Sequence, residues 1–359
     1  MVRARDLVRS SREKQKIEEE EKKKEEVEQQ PVSPLQPAKA RSAAPPLAKP
    51  AGDEKKDRVA DLLDMEGILA EARNRVKEIL QAAADEQPFD LTALAPQAKR
   101  LTAASREGNS LLRRMIRGKA EGDSGTSYIE SLAAHMADLT VLPIRIGMEL
   151  NYDDEELISL GQASLLHDIG WIRMPPELIG KEKLSDQEIE AVRKHPILGY
   201  EVLSEWEEKF PWMTKSVLQE HEREDGSGYP NGLKGQEIDE FAKIIGISDA
   251  YEDLIHGKGL PPYRALQQIM SMRNKQFSPR LVKALIQVLS VFPLESLVRL
   301  NTGEIGRVVE VSKLHPTRPT IKVLVDAQGK RVSEKRLINL EEEPMLYIAD
   351  PALDEKDVL

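Results

Sequence analysis

The chain has no cysteine, which excludes disulfides, thiolate nucleophiles and sulfur-ligated zinc or iron–sulfur centres. Aromatic residues fill only 4% of its 359 positions while charged residues fill 32%, so part of it is expected to lie outside any packed core. No apolar run approaches the roughly 18–20 residues of a membrane span. The opening MVRARDLVRSSREKQK lacks the apolar stretch of a secretory signal, and a cytoplasmic protein is the expectation. The net charge of −10 argues against long-range attraction to DNA or RNA; an anionic ligand would need a local site of metals and a few cations. Histidine is scarce as well, with six in the whole chain.

What is present divides into four stretches. Residues 1–58 join a charge-mixed run, IEEEEKKKEEVE, to QQPVSPLQPAKARSAAPPLAKPAG, which reads as a charged, disordered arm and a Pro/Ala-rich linker. From Val59 to about 122 the apolar residues recur at helical spacing, first through Leu80 and again around Leu91–Met115. Packing is the simpler reading of these helices, with docking or homodimer formation as the alternative. Residues 123–290 read as almost entirely helical, with amphipathic segments at Glu155–Leu166, Asp186–Lys194 and Tyr200–Trp206 between Pro- or Gly-marked turns. Residues 291–350 change character: SLVRLNTGEIGRVVEV and TIKVLVDAQGKRV alternate apolar and polar residues, with turns at Thr302-Gly303 and Gln328-Gly329. The expected fold class is mainly α, a helical bundle with a small C-terminal β-rich appendage.

His135, His167, His195 and His221 fall in the helical stretch at intervals of 32, 28 and 26 residues, about one per helix or helix pair. Bundles commonly build a metal site by gathering one such side chain from each of several helices. Carboxylates accompany them: Asp168 beside His167 on an expected helix, Glu220 beside His221, and Asp249 after the apolar Ile244, Ile245 and Ile247. Any single histidine here is more simply an ordinary core or surface residue; four in order with three placed carboxylates are not. Imidazole and oxygen donors without sulfur suit iron, manganese, magnesium or zinc.

These residues carry a resemblance. His135, the His167-Asp168-Ile169-Gly170 run, MPPELIGKEKLSDQEIEAVRKHPILGYEVL with His195, the segment from His221 to Ile238 containing DGSGYPNGLKGQEI, Asp249, and Tyr263-Arg264 together resemble an HD-GYP domain. That is the branch of the HD metal-dependent phosphohydrolases that hydrolyses cyclic di-GMP. The likeness spans about residues 125–290, and the glycine-rich segment is far more specific than a His-Asp pair. It implies an HD-type bundle and a metal shell of His135, His167, Asp168, His195, His221 and Asp249, with Asp168 bridging two divalent ions, iron or manganese. Gly228, Tyr229 and Pro230 would form a loop supporting the wall of the site; a plain structural turn is the blander reading.

The sequence departs from the family at three places near the chemistry. The lysine that usually follows the HDIG run is Trp171, which removes a cation expected to face the scissile phosphate. The usual His-His-Glu reads Glu220-His221-Glu222, putting a charged oxygen where a neutral nitrogen would bind. The segment after Asp249 is about three residues longer, leaving Lys258 and Arg264, with Tyr263, to reach phosphates and adding His256 as a further candidate ligand. An acidic ligand of trinuclear members falls on Ser131, which argues for two metals. Three functions are open to such a chain: a cyclic di-GMP phosphodiesterase, a weakened domain that binds cyclic di-GMP or a signalling protein, and a phosphohydrolase for other nucleotides. Trp171 favours the second, because an indole can stack on guanine but cannot neutralise phosphate.

Overall fold

The computed structural model describes residues 54–118, 127–178, 181, 183–312, 314–333, 336–354 and 356, with side chains from Met65 onward. The expected arm up to position 53 lies outside the described residues. Twelve α-helices precede the sheet among the described residues. The first, α1 (Glu54–Ala84), begins five residues before the periodic pattern starting at Val59. It buries Leu69, Ala72, Val76, Ile79, Leu80 and Ala83, a stripe at three- and four-residue spacing. A short 3-10 turn at Leu91–Leu94, capped by Asp90, leads into α2 (Ala95–Glu107) and α3 (Ser110–Arg117). The expected helical stretch at Leu91–Met115 is thus broken in two, at Gly108-Asn109.

These three helices share one core with the rest of the helical region: Leu69, Val76 and Leu101 join Met136, Leu160 and Ile245 in a continuous apolar cluster. The bundle proper comprises α4 (Tyr128–Leu139), α5 (Val141–Glu149), α6 (Asp154–Ser164), α7 (Asp186–Val192), α8 (His195–Leu203), α9 (Pro211–Gln219), α10 (Glu240–Glu252), α11 (Pro262–Ser271) and α12 (Pro279–Leu289). Its helix starts are written locally. Ser127 with Glu130, Asp153 with Glu156 and Ser185 with Glu188 form reciprocal capping boxes at α4, α6 and α7. Proline opens α9, α11 and α12, where its missing N–H has no intrahelical partner to lose. Arg73 of α1 holds Asp138 of α4 through two donors at 2.7 and 2.9 Å.

The C-terminal stretch forms one antiparallel sheet in the order β4-β3-β2-β1-β5, from β1 (Leu297–Leu300), β2 (Ile305–Glu310), β3 (Thr320–Val325), β4 (Leu337–Asn339) and β5 (Ile348–Leu353). Thr302-Gly303 turns β1 into β2, as its composition requires, with Gly303 at φ +92°. The residues after Gln328-Gly329 make only an isolated bridge at Arg331, and the paired strand comes later, at Leu337. The sheet also runs to Leu353, past the expected limit at 350. Val298, Leu300, Val308, Ile321 and Val323 form its own small core. Among the described residues no helix is long and apolar enough to cross a membrane.

Candidate metal centre

The His167-Asp168 pair was expected on a helix, and the structure corrects this. α6 ends at Ser164, and the amides of Leu166 and Ile169 donate to the carbonyls of Ala163 and Leu166, an i to i−3 pattern. This tighter winding leads into a 3-10 turn at Ile169–Arg173 and swings the pair off the helix surface into the bundle. Gly170 permits it: a β-carbon there would stand 1.9 Å from the carbonyl oxygen of His195. The remaining donors arrive from four other places. His135 lies on α4, His195 opens α8, Glu220 and His221 come just after the last turn of α9, and Asp249 sits on α10.

They meet as two adjoining clusters. Ligand atoms of Asp168, His195, Glu220 and His221 lie within 4.8 Å of one another, as do those of His135, His167 and Asp249. Asp168 joins the two. Its Oδ2 stands 3.5 Å from Nε2 of both His135 and His167, and its Oδ1 stands 3.3 Å from Nε2 of His195. Nδ1 of His167 donates to the Ser164 carbonyl and Nδ1 of His195 to that of Val192, both at 2.8 Å, which fixes each ring with Nε2 facing inward. Glu252, one turn after Asp249 on α10, does the same for His135 from 3.2 Å. Nothing in the residue types alone singled out Glu252; its i,i+3 spacing from Asp249 was the available signal.

Whether these residues suit a metal is tested by what they leave unsatisfied. His167 Nε2 and both carboxylate oxygens of Glu220 are buried without any hydrogen-bond partner, and Nε2 of His195 and His221 approach to 3.0 Å. Buried polar atoms in folded proteins are generally paired, and single exceptions such as Thr102 Oγ1 occur elsewhere in this chain, but here three stand among the gathered imidazoles and carboxylates. Orphaned atoms converging from imidazoles and carboxylates fit divalent cations. The proton balance agrees. Burial would push the imidazoles down, but Asp168 and Glu220 outweigh it, lifting His167 to about 9 and His195 to about 10. His135 is raised well above its usual range, against its burial, by hydrogen bonds to Asp168 and Glu252. Burial lifts Glu220 to about 8, and burial beside cationic His195 holds His221 well below its usual value. Asp168 stays far below the carboxylate range, against its own burial, because His167 and its hydrogen-bonded neighbours favour the anion. Protons thus occupy the place where cationic charge is wanted.

The clusters open into a cavity of about 470 Å³. Trp171 lines it, donating Nε1–H to Asp168 Oδ1 at 3.1 Å and stacking on His195 with centroids 5.2 Å apart. Tyr229 stacks on His221 at 4.7 Å. The Gly228–Pro230 loop holding it is pinned by Glu222, whose carboxylate accepts from the amides of Asn231 at 2.7 Å and Leu233 at 3.0 Å. Gly228 is required there, since a β-carbon would meet the His221 carbonyl at 2.4 Å. Lys258 and Arg223 bring positive charge to the cavity wall. Arg223, to which the motif alone gives no role, spans to the carbonyls of Glu220 and Glu222.

Three of the candidate residues are placed elsewhere. Arg264 donates to the Ala352 carbonyl at 3.0 Å, and Tyr263 stacks on Phe292 at 6.0 Å; neither lines the metal cavity. His256 donates to the Met115 carbonyl at 2.9 Å, turned toward α3. The longer segment after Asp249 accounts for this: a π-helical turn at Asp253–Gly257 rotates the chain beyond it away from the clusters.

Residues 122–281 match the HD domain family, and residues 297–359 match the KOW domain associated with HD domains. The chain is 27% identical to a cyclic di-GMP phosphodiesterase of Pseudomonas aeruginosa, over 86% of this chain and 74% of that one. It is 31% identical to the cyclic di-GMP phosphodiesterase response regulator of Xanthomonas campestris pv. campestris, over 60% of this chain and 58% of the relative. A cyclic di-GMP phosphodiesterase of Borreliella burgdorferi is 26% identical, and the chain spans just 56% of its length. A solved structure of an HDG"Y"P protein from Bdellovibrio bacteriovorus shares the fold, with a TM-score of 0.52 at 20% identity over 62% of this chain and 70% of that one. The matched helical region, the paired clusters joined by Asp168 and the Gly228–Pro230 loop agree: residues 122–281 form an HD domain of the HD-GYP type, followed at residues 297–359 by a match to the KOW domain associated with HD domains.

Proposed function

We propose that the protein is a metal-dependent phosphodiesterase hydrolysing cyclic di-GMP in second-messenger signalling, and that its two clusters hold two divalent ions, iron or manganese. The observation that carries this reading is the division of Asp168, one oxygen facing each cluster, beside buried donor atoms that have no other partner. Bound there, such ions would supply a nucleophile at neutral pH and offset the charge of the phosphodiester. The protein's own groups do the rest. Ser164, Val192 and Glu252 orient three imidazoles through their Nδ1 atoms. Glu222 and Gly228 keep Tyr229 against His221, closing one side of the cavity. Arg223 and Lys258, the latter paired with Asp253 at 3.3 Å, share the wall with Asp168, Asp249 and Glu252, so attraction of an anion there would rest chiefly on the bound ions.

Trp171 supports a second reading, a weakened domain that binds cyclic di-GMP and passes the signal on. The indole N–H is engaged by Asp168 and the ring lies on His195, so this position contributes a hydrogen bond and no charge toward a phosphate. Hydrolysis of cyclic di-GMP by anaerobically purified, iron- or manganese-loaded protein separates the two. Turnover that disappears in Asp168→Ala supports the enzyme. Tight binding without turnover in the loaded protein supports the receptor, and Trp171→Lys should then restore measurable hydrolysis.

A further inference from the structure

A second cavity, of about 580 Å³, lies where α3 and the segment before α11 face the sheet. Its electrostatics are unusual for an acidic chain. Arg113, Arg117 and Arg307 converge on the single buried carboxylate of Glu295, at 3.5, 3.1 and 3.7 Å. Arg264 and Lys356 add two more cations at the rim. Among the described residues that line the cavity, Arg117, Arg264, Arg307 and Lys356 stand against Glu295 and Asp354, so positive charge is in surplus. One wall is apolar, formed by Ile255, Leu260 and Leu297. A cavity of this size with clustered guanidinium groups and an apolar wall has the character of a site for a small ligand carrying phosphate at one end.

The wall is shared. In the segment 253–260, Asp253, Leu254 and Lys258 line the metal cavity, while Ile255, Gly259 and Leu260 line this one. The segment is a π-helical turn closed by Lys258 N to Asp253 O at 2.8 Å and Leu260 N to Leu254 O at 2.9 Å. Whatever seats against Ile255 and Leu260 therefore bears on the backbone that carries Lys258.

We propose that this cavity binds a nucleotide bearing a terminal phosphomonoester, and that its occupancy is felt at the metal cavity through residues 253–260. A phosphomonoester dianion suits several guanidinium groups better than a diester monoanion does, and the apolar wall would take the nucleoside.

The test uses the full chain freed of metal with chelator, so that the metal cavity cannot capture phosphate through ions. Calorimetric titration with 5′-GMP is compared with guanosine and with inorganic phosphate. Arg117→Gln with Lys356→Gln is the variant, both side chains being exposed and Arg113 and Arg307 remaining to pair Glu295. The expected result is binding of 5′-GMP, at least tenfold weaker in the double variant and tenfold weaker for either fragment, with slower amide exchange over 253–260. Equal binding by the variant, or by guanosine, overturns the charge assignment. Equal binding by inorganic phosphate overturns the nucleotide. Binding without any change in exchange at 253–260 overturns the coupling, and absence of binding overturns the site.

Discussion

Glu220 offers a test in which metal decides the sign of a mutation. Its carboxylate is fully buried, neither oxygen has a hydrogen bond, and the nearest cationic nitrogen, His195 Nε2, stands 3.8 Å away. An unsatisfied buried polar group costs about 1–3 kcal/mol, and more when charged. Burial lifts this carboxyl to about 8, which at pH 7 corresponds to a cost on the order of 3 kcal/mol. Because the folded value lies above the unfolded one, the native state holds a proton that the unfolded chain has released. Stability without metal therefore falls as pH rises from about 4.5 to 8. Bound cations pair the ionised carboxylate and remove that loss. Glu220→Gln, which keeps the shape and discards the charge, should thus stabilise the chelator-treated protein at pH 8 by about 1–3 kcal/mol. At roughly 2–4 °C per kcal/mol for a domain of this class, the melting temperature should rise by several degrees. The same substitution should weaken manganese binding at least tenfold and shrink the metal-induced rise in melting temperature. Scanning calorimetry at pH 6 and pH 8, with chelator and with manganese, measures both effects. A variant that melts below the parent in chelator yet keeps full metal content would refute the reasoning, because Glu220 would then be a structural carboxylate.

Trp171→Phe keeps the ring against His195 but deletes the donor to Asp168 Oδ1, so metal affinity should fall by roughly tenfold or more; a titration curve unchanged from the parent would show that the bond orients nothing. Gly246→Ala would set a β-carbon 2.1 Å from the Glu220 carbonyl oxygen, forcing α10 away from the end of α9. It should cost about 1–3 kcal/mol and lower bound metal together. Gly67→Ala, with open space at its β-carbon, should instead stabilise the protein by about 0.5–1 kcal/mol. Equal melting shifts for the two would contradict the packing argument.

Much of this architecture is legible in the residues. Capping boxes at Ser127, Asp153 and Ser185 and prolines at positions 211, 262 and 279 mark helix starts through local bonding alone, so no tertiary information is needed to place them. The alternation over SLVRLNTGEIGRVVEV gives a hairpin for the same reason. Local pattern fails as a guide where long-range packing overrides it. The His167-Asp168 pair reads as helical, yet the contact of Gly170 with the start of α8 forces a tighter turn, and only that turn aims Asp168 at two clusters. Lys258 and Arg264 look equivalent in sequence, six residues apart; the π-helical turn sends the first to the metal cavity and the second to the seam with the sheet. Residue type and spacing determined which donors this protein has. Which atoms converge, which are left without partners and which cations surround Glu295 were decided by tertiary structure, because those distances depend on elements far apart in the chain and on backbone turns whose direction no local signal fixes.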